Sequence, residues 1–442
     1  MENFDYKKFK SYYFVGIGGV SVSSLAIYLH ENGYTVKGAD VSQNSYVKKL
    51  KDLNITVYDS HKKQNILGAD VVVYSSAIDF SNEELSQAQC ENVPVVNRTV
   101  LLNSILNDYK NVIAISGTHG KTTTTALMTE VFNCYFNPTA FIGGESISYG
   151  NLLIGEKDFC ITEACEYKKN LLNLSPTVSI ILNADYDHVD CYKNLNEVID
   201  TFSNFALNTI CIKNADDINL KNISAKYTFG IENTADFMAK NIKTTPNGVS
   251  FYLYVNKKRT CKIHTPLYGK HNVLNVLSVI ATATSFNLPL SKIKTAISNF
   301  KGVKRRNEFL GNKHGSLYFA DYAHHPKEIE NALCLPTYKG KKTLFIFEPH
   351  TYTRTKVLIN DFVKVFSKTK NLVIYKTYPA RETFDVDGDA FTLTTKINSI
   401  KRKNQALYFD DVFKLLVYAQ NFDKVVILGA GRLYDDIKRF LT

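Results

Sequence analysis

The sequence predicts an α/β protein with about three domains, each built around a parallel sheet, and three observations lead to this prediction. The chain has 442 residues, and at roughly 150 residues per domain this length is enough for about three domains. Short apolar runs alternate with helical patterns along the chain, which is typical of buried parallel strands covered by helices. Two of the runs lead into glycine turns followed by helices, as phosphate-binding loops do.

The N-terminal part of the chain alternates strands and helices. YYFVGIG is a strand that enters a glycine turn, and residues 21–31 follow as a helix that ends at Asn32 and Gly33. TVKGAD, ADVVVYSSA and PVVN are the later strand runs. We expect these elements to form one domain, residues 1–107.

The middle of the chain begins a second unit. Its first strand, NVIAISG, runs into a glycine turn and then a helix from Lys121, and FCITEA and TVSIILNAD are further buried strands. Residues 235–267 change to the pattern of an antiparallel hairpin, with Pro246-Asn247-Gly248 as the turn. KHNVLNVLSVIATATSF has a helical pattern. We expect residues 108–301 to form the central domain.

The C-terminal part starts after GVKRR, which has the character of a linker. The apolar runs SLYFADYA, TLFIFEP, NLVIYKT, ALYFD and KVVILGAG are each followed by a helical segment. Strands that alternate with helices in this way indicate a third α/β unit. We expect it to occupy residues 302–442.

Composition excludes several classes of protein. Charged residues make up 21% of the chain, and no low-complexity stretch suggests long disorder. The N-terminus has no apolar signal region and no run is apolar enough to span a membrane, so we expect a cytoplasmic protein without membrane insertion. The eight cysteines include no Cys-x-x-Cys pair, so we expect reduced thiols. The net charge of +11 could indicate nucleic-acid binding, but Lys and Arg are scattered, and a basic balance suits an enzyme of small polyanionic substrates equally well.

The strongest chemical signal is the motif ISGTHGKTTTT between a buried strand and a helix. Gly117 and Gly120 permit backbone geometry in which N–H groups and the helix N-terminus face a phosphate. Lys121 would reach the β- and γ-phosphates, and the Thr122 hydroxyl would bind Mg²⁺. The strict P-loop pattern has glycine where Ile115 stands, so this is a compact variant. The alternative, an ordinary glycine turn, is disfavoured by the Gly-Lys-Thr at this place.

Acidic residues follow two of the buried strands of the central unit. They are Glu163 and Glu166 after one strand, and Asp185, Asp187 and Asp190 after the next, where His188 also lies. Ligands of parallel sheets bind at the carboxyl ends of strands, and Mg²⁺ takes hard oxygen ligands such as Thr122 and Glu163. His188 is less typical of a Mg²⁺ site, and a lone histidine is more often structural.

Several motifs occur together and in one order: GIGGVSVSSLA, GTHGKTTTT, EACEY, NADYDHVD, GKHNVLN, GVKRR, DYAHHP and EPHTYTRT. In this combination the chain resembles the Mur ligases over residues 16–431. The resemblance implies a Rossmann-like N-terminal domain that binds a UDP-sugar, a central P-loop-type ATPase domain and a Rossmann-like C-terminal domain. It also implies an ATP- and Mg²⁺-dependent ligase that joins L-alanine to the lactyl carboxylate of UDP-N-acetylmuramic acid through an acyl phosphate, in peptidoglycan synthesis.

The resemblance also implies roles for particular residues. The ATP-binding residues would be Gly117, Thr118, His119, Gly120, Lys121, Thr122, Thr123, His271, Asn272, Asn275, Arg306 and Asp321. The metal ligands would be Thr122, Glu163 and His188. The residues that bind the UDP-sugar or the amino acid would be Gly18, Gly19, Asp40, Ser76, Arg98, Tyr322, His324 and Arg354. The catalytic residues would be Lys121, Glu163, His188, His324 and Arg354.

The role of His324 has two interpretations. An amine must be neutral when it attacks, so a nearby base such as His324 is plausible. A hydrogen-bonded structural histidine before Pro326 fits the sequence equally well. The sequence therefore leaves this assignment open.

Three other functions remain as alternatives. The GxG turn with Asp40 about 20 residues further on is also typical of an NAD-dependent oxidoreductase. Ser21 stands where a third glycine is usual, and that function leaves GTHGKTT and DYAHHP unexplained. A second alternative is another Mur-type ligase with a different amino acid or carboxylate. A third is a nucleotide-binding module without catalysis, which the intact set of Lys121, Glu163 and His188 argues against.

Overall fold

The computed structural model describes residues 4–75, 78–187, 191–338 and 342–442, and in these residues the strands form three sheets that follow one another along the chain. This arrangement confirms the predicted α/β class and its three sheet-forming parts. The described residues fall into two compact units: one carries the first two sheets, and the other carries the third sheet with the segment around Tyr186. The predicted domain boundaries at 107/108 and 301/302 stay a prediction.

The first sheet is parallel throughout, with strand order β3-β2-β1-β4-β5. Its strands are β1 (Ser11–Val15), β2 (Thr35–Ala39), β3 (Thr56–Tyr58), β4 (Val71–Tyr74) and β5 (Val95–Asn97). Its helices are α1 (Val20–Glu31), α2 (Ser45–Asp52), α3 (Glu83–Cys90) and α4 (Arg98–Leu106). The strand order reverses beside β1, so a crevice for a ligand is expected at the carboxyl ends of β1 and β4.

The second sheet has the order β15-β14-β13-β12-β11-β10-β6-β9-β7-β8. Its strands are β6 (Asn111–Ser116), β7 (Pro138–Ser146), β8 (Gly150–Leu153), β9 (Glu156–Glu163), β10 (Val178–Ile181), β11 (Ile210–Asn214), β12 (Tyr227–Gly230), β13 (Phe237–Thr245), β14 (Gly248–Val255) and β15 (Lys258–Thr265). Its helices are α5 (Lys121–Asn133), α6 (Leu195–Ala206), α7 (Lys270–Ser285) and α8 (Leu290–Asn299). Because β6 lies between β9 and β10 and runs parallel to both, the segments after these three strands meet at one edge.

The predicted hairpin of the central part is present. β13 and β14 pair antiparallel, and Thr245 lies opposite Gly248. Gly248 therefore begins β14, and the loop itself consists of Pro246 and Asn247. The helix predicted from KHNVLNVLSVIATATSF is α7, and the helix predicted from Lys121 is α5.

The third sheet has the order β16-β17-β21-β18-β19-β20. Its strands are β16 (Glu308–Lys313), β17 (Ser316–Asp321), β18 (Thr343–Phe347), β19 (Leu372–Tyr375), β20 (Leu407–Phe409) and β21 (Lys424–Leu428). Its helices are α9 (Pro326–Leu333), α10 (Tyr352–Val357), α11 (Ile359–Phe366), α12 (Ala390–Ile400), α13 (Val412–Ala419) and α14 (Leu433–Leu441). The edge strand β16 is antiparallel to β17, and its half-exposed, mixed sequence EFLGNK gave no signal of a buried strand.

None of the helices within the described ranges has the length and apolar character that crossing a bilayer requires.

Candidate active site

The loop between β6 and α5 has the conformation expected of a phosphate-binding turn. Gly117 and Gly120 have φ angles of 130° and 88°, which side-chain-bearing residues rarely adopt. A Cβ atom at Gly120 would lie 2.8 Å from Asn275 Oδ1 on α7. The two glycines thus allow both the turn itself and its close approach to α7. Thr122 and Thr123 lie in the first turn of α5, where N–H groups lack intrahelical partners and favour an anion.

The segment after β10 holds the middle of this loop. The Thr118 N–H donates to the Asn183 carbonyl at 3.2 Å, and the His119 N–H donates to Asn183 Oδ1 at 2.8 Å. The Asp185 N–H in turn donates to the Thr118 hydroxyl at 2.9 Å, and the Asp185 carboxylate lies 3.2 Å from His119 Nε2. Thr118 and His119 therefore fix the loop to the neighbouring strand end.

Lys121 is held at the loop by an ion pair with Glu166. Its ammonium group donates to the carbonyls of Gly117 and Thr118 at 2.5 and 3.1 Å, and to Glu166 at 2.9 Å. Burial of the ammonium opposes its charge, but the carboxylates of Glu166 and Glu163 outweigh this and raise the pKa of Lys121 above its ordinary value. Lys121 is therefore a permanent cation beside the loop.

Glu163 is the last residue of β9 and lines a small cavity in the first compact unit. Arg98, the first residue of α4, lines the same cavity, as do Ser21 and Ser24 of α1. The cavity thus joins a carboxylate of the central part to a guanidinium of the N-terminal part. The sequence placed these residues in different motifs, and the fold brings them to one space.

The residues present fit a magnesium ion held together with a nucleotide. Thr122 offers a hydroxyl and Glu163 a carboxylate at the ends of neighbouring elements. Among the side chains that the structure describes, no group of three or more His, Cys, Asp or Glu is placed to hold a metal. Mg²⁺ does not require such a group, because it commonly binds one or two protein oxygens together with phosphates. The third predicted ligand, His188, lies outside the described residues.

The predicted nucleotide residues of GKHNVLN lie at the start of α7. Asn275 is buried and leaves no room for a Cβ atom at Gly120, as described above, while its amide donates to Asn272 Oδ1 at 3.1 Å. Asn272 donates to the Tyr268 carbonyl at 2.8 Å. His271 is the second residue of the helix. These three residues therefore share the helix end that faces the phosphate loop through Asn275.

The glycine turn of the N-terminal part is braced by an acidic residue. The Gly18 N–H donates to Asp40 Oδ2 at 2.8 Å, and Gly19 precedes the first residue of α1. The other oxygen of Asp40 accepts a hydrogen bond from the Ser42 hydroxyl at 2.6 Å. Asp40 therefore shapes the turn directly. Ser76, another predicted contact, lies outside the described residues.

Two predicted residues of the third sheet, Tyr322 and His324, follow β17. His324 Nδ1 lies 2.9 Å from the Tyr322 carbonyl and 3.5 Å from Glu328 Oε2. Because both neighbours of Nδ1 accept hydrogen bonds, Nδ1 carries the proton and Nε2 keeps a lone pair. Burial lowers the pKa of His324 to about 4, so the imidazole is neutral near pH 7.

Arg354 on α10 connects an acid and a second histidine within the same unit. Its Nε and Nη2 atoms both lie 3.3 Å from Asp187 Oδ1, and its Nη1 lies 3.2 Å from His350 Nδ1. A guanidinium only donates, so His350 accepts at Nδ1 and carries its proton on Nε2. Burial, with His324 and Arg354 nearby, lowers the pKa of His350 to about 3. Two neutral imidazoles, with ring centres 5.9 Å apart, thus stand beside one cation.

The two linker arginines have different surroundings. Arg305 donates to the carbonyls of Gly429 and Gly431 at 2.8 and 3.1 Å, so its head is fixed to the turn after β21. The guanidinium of Arg306 lies 5.2 Å from the Tyr322 ring centre, and its side chain is 27% exposed. Arg306, the predicted ATP contact, is therefore the less constrained of the two.

Asp321, the last residue of β17, is partly buried. It accepts hydrogen bonds from the N–H groups of Asn307 and Ala323, each at 2.9 Å. Burial raises the pKa of Asp321 although Arg306 and these N–H groups oppose the shift. In the structure it joins the linker to the sheet.

Several contacts within the two units are not predicted from the sequence. In the first unit, Glu166 pairs with Lys121, and the sequence predicts no partner for it. His350 belongs to EPHTYTRT and received no role, although it contacts Arg354. Gly143, in the strand sequence FIGGES, was not singled out. Its signal was available, because glycine inside a strand often marks a close approach of another group.

Comparisons with known proteins agree in one family. Residues 11–110 match the description "Mur ligase family, catalytic domain", and residues 115–283 match "Mur ligase middle domain". The UDP-N-acetylmuramate–L-alanine ligase of Clostridium acetobutylicum is 38% identical, over 98% of both chains. The enzyme of that name from Caldanaerobacter subterraneus is 34% identical, over 99% of this chain and 98% of its own.

Solved structures give the same picture. The crystal structure of UDP-N-acetylmuramate-alanine ligase from Thermotoga maritima has a TM-score of 0.86 and 27% identity, and the match covers 97% of this chain and 98% of that one. A murein peptide ligase from Psychrobacter arcticus has a TM-score of 0.74 at 20% identity and covers 98% of each chain. The second match bears on the fold alone.

Proposed function

The chain belongs to the Mur ligase family, and from that premise we propose that it joins L-alanine to the lactyl carboxylate of UDP-N-acetylmuramic acid with ATP, in peptidoglycan synthesis. Full-length similarity to ligases of that name supports the proposal. One observation of the structure carries it: Lys121 in the glycine loop stands beside the end of β9, whose Glu163 shares a cavity with Arg98. In this proposal the ATP site and the path of the UDP-sugar from the N-terminal part meet at this cavity.

The reaction requires activation of a carboxylate. A carboxylate resists attack by an amine because resonance and negative charge make it a poor electrophile. Transfer of the γ-phosphoryl group of ATP gives an acyl phosphate, whose phosphate is a good leaving group. Lys121 and the first-turn N–H groups of α5 bind the phosphates and neutralise their charge. Thr122, Glu163 and His188 would hold Mg²⁺, which would supply further charge neutralisation.

The UDP-sugar enters this scheme from the N-terminal part. Its diphosphate binds at the turn of Gly18 and Gly19, where α1 begins and where an anion is favoured. Arg98 lies on the cavity that Glu163 also lines, so it suits a carboxylate on its way to phosphorylation. A guanidinium binds carboxylate and phosphate oxygens alike.

The amine half of the reaction is assigned to the second unit. The protonated Nδ1 of His324 leaves Nε2 as the basic atom, and the lowered pKa keeps it unprotonated near pH 7. Arg354 offers a cation for the carboxylate of the amino acid. His350, fixed by Arg354 as a donor through Nε2, adds a hydrogen-bond donor beside them.

We also propose a cytoplasmic location. ATP is the co-substrate, and none of the eight cysteines, all of which lie within the described ranges, takes part in a disulfide bond. Free thiols are typical of proteins that work in a reducing compartment.

The test is phosphate release from ATP and Mg²⁺ with UDP-N-acetylmuramic acid and one of L-alanine, glycine, L-serine, D-glutamate or no amino acid. We expect release that needs both the UDP-sugar and L-alanine, with a product heavier by one alanine residue. Release with a different amino acid would keep the ligase chemistry and reject the substrate assignment. NAD in place of ATP serves as a control for the oxidoreductase alternative, and a thermal shift with NAD alone would favour that alternative.

A further inference from the structure

The strand that carries Glu163, β9, and its neighbour β7 do not end at the same level. β7 runs parallel to β9, and the last registered pair is Phe141 opposite Thr162. β9 ends one residue later at Glu163, whereas β7 continues to Ser146. Beyond Phe141, β7 therefore has no registered partner on β9. Those of its N–H groups that point to the β9 side need other acceptors.

Gly143 supplies such an N–H group, and the Glu163 side chain is its acceptor. The Gly143 N–H donates to Glu163 Oε1 at 2.7 Å. A Cβ atom at position 143 would lie 2.6 Å from Oε1 and 2.5 Å from the carboxylate carbon. These distances are shorter than real Cβ contacts allow, so the carboxylate can occupy this place only because residue 143 is glycine.

We propose that Gly143 is a positioning residue of the ligation site, and that its backbone fixes the Glu163 carboxylate in the orientation used for Mg²⁺. The inference rests on the proposed role of Glu163 as a metal ligand. A hydrogen bond to Oε1 fixes the plane of the carboxylate and with it the direction of Oε2. Partners of this kind, one step removed from the metal, orient its ligands and tune its affinity.

A second observation argues against a purely structural glycine. Glycine inside a strand weakens that strand, because it has no side chain to pack and gains more freedom on unfolding. Gly143 has no left-handed φ angle that would require glycine. The close approach of the Glu163 carboxylate is therefore the feature at this position that requires glycine, and that carboxylate faces the cavity shared with Arg98.

The main test compares Gly143→Ala with the wild-type protein by calorimetry. The affinity for a non-hydrolysable ATP analogue is measured with and without Mn²⁺, and the ratio of the two affinities reports the metal contribution. We expect Gly143→Ala to lower this ratio roughly ten- to hundredfold and to leave metal-free binding of the analogue nearly unchanged. Ser146→Ala, further along β7, is the matched control and should not change the ratio.

A double-mutant cycle guards against a general loss of folding. Glu163→Asp withdraws the carboxylate by one methylene group, away from the atom that Gly143→Ala adds. Gly143→Ala should therefore lower the ratio of the affinities with and without Mn²⁺ less in the Glu163→Asp background than in the wild type. Equal losses in the two backgrounds, or equal loss of metal-free binding, would overturn the positioning role.

The same series separates this inference from the function on which it rests. If Glu163→Gln removes the effect of Mn²⁺ and Gly143→Ala does not reduce it, the positioning role fails and the metal assignment stands. If Glu163→Gln leaves the ratio unchanged as well, Glu163 is not a metal ligand, and both proposals fail. If Glu163→Gln and Gly143→Ala each lose the effect of Mn²⁺, the result supports both the metal assignment and the positioning role.

Discussion

Lys121 is both a proposed ATP ligand and one half of a buried ion pair. The side chains of Lys121 and Glu166 are only 14% and 3% exposed. Removal of one member of such a pair leaves the other charge uncompensated in a poorly hydrated place. A single substitution at Lys121 therefore changes stability as well as ATP binding, and the two effects must be separated.

Lys121→Met should abolish ATP turnover and lower the free energy of unfolding by roughly 3–5 kcal/mol, because Glu166 stays buried and charged. The double variant Lys121→Met with Glu166→Gln should recover most of that stability, since the glutamine is neutral, and should remain inactive. Urea unfolding and phosphate release measure the two quantities. Turnover in the double variant would contradict the role of Lys121 at the phosphates.

At His324 the surroundings determine both the tautomer and the protonation state. The Tyr322 carbonyl faces Nδ1, and burial lowers the pKa to about 4. The imidazole is therefore unprotonated throughout the range of about pH 5–8 in which histidines usually titrate. This state is the one that a base for the incoming amine requires.

The rate of ligation should show no inflection near pH 6.5 that belongs to His324, because its titration lies well below that pH. His324→Gln should lower kcat roughly a hundredfold or more while thermal stability stays close to that of the wild type. The measurement is kcat between about pH 5 and 8 for both proteins. A decrease of kcat below about pH 6.5 that is present in the wild type and absent in His324→Gln would show that the imidazole titrates normally, and would contradict the prediction.

The junction of the phosphate loop with α5 depends on backbone conformation and on a close neighbour. Gly120 has φ 88° and stands against Asn275 Oδ1. Gly33, which follows α1, has φ 86° and no atom within 4 Å of an added Cβ. At both positions an alanine would have a similar backbone strain, and the two positions differ in the atoms near the added Cβ. They therefore form a matched pair.

Gly33→Ala should cost about 1–2 kcal/mol of stability, the strain of a left-handed residue, and should leave ATP binding intact. Gly120→Ala should cost more, because the new methyl group meets Asn275, and should weaken ATP-analogue binding at least about tenfold, or about 1.4 kcal/mol. Urea unfolding and calorimetry measure these effects. If Gly33→Ala and Gly120→Ala bound the ATP analogue with similar affinity, the phosphate loop would tolerate a displacement relative to α7.

A buried carboxylate ties α3 to the first sheet. Glu84 of α3 is fully buried and accepts hydrogen bonds from the Tyr13 hydroxyl and the Asn65 amide at 2.6 and 2.8 Å. His61 Nδ1 lies 2.6 Å from its other oxygen. The hydrogen bond with Glu84 raises the pKa of His61 above its ordinary value, so the protonated imidazole is stabilised by folding.

The contribution of His61 to stability should be fully present below the unfolded pKa of about 6.5. It should be lost as the pH rises through the raised pKa of the folded state, because only the folded protein holds the proton there. His61→Asn should flatten this part of the profile. The measurement is the thermal midpoint of both proteins at pH values from below about 6.5 upward. The same slope of the midpoint against pH in the variant and the wild type would contradict the expectation.

At the scale of the whole molecule, partly buried histidines in the two compact units have opposite effects on the pH dependence of stability. His61 binds its proton more tightly in the folded state. His324 and His350 have pKa values of about 4 and about 3, and hence remain neutral when folded. Below about pH 6.5 the unfolded chain binds protons at these two positions that the folded chain does not, so acid destabilises the second unit.

We expect hydrogen exchange in the second unit to become faster, after correction for the intrinsic pH effect, when the pH is lowered from about 7.5 to about 5.5. This range lies above the one in which carboxylates usually titrate. Exchange in the first sheet should not become faster. Mass spectrometry of peptides from both units measures the difference. His350→Asn, which removes one of the two titrating groups, should reduce the acceleration. Equal acceleration in both units would contradict the assignment.

The sequence by itself determined the α/β class, the helices α5 and α7, the hairpin of β13 and β14, and the loop of Gly117–Lys121. These features follow from local causes: apolar runs that must be buried, glycines at turns and residues that end helices. Strands without such a signal were missed. β3 and β16 are short or mixed in sequence and only partly buried, so no alternation of apolar residues marks them.

The tertiary structure alone decided which side chains of the site meet. Lys121 pairs with Glu166, Gly143 bonds Glu163, and Arg354 joins Asp187 to His350. These contacts depend on how separate elements of the chain are arranged, and the Gly143–Glu163 contact depends also on β9 ending before β7. Local sequence fixes neither, because register is set by packing of the whole sheet against its helices.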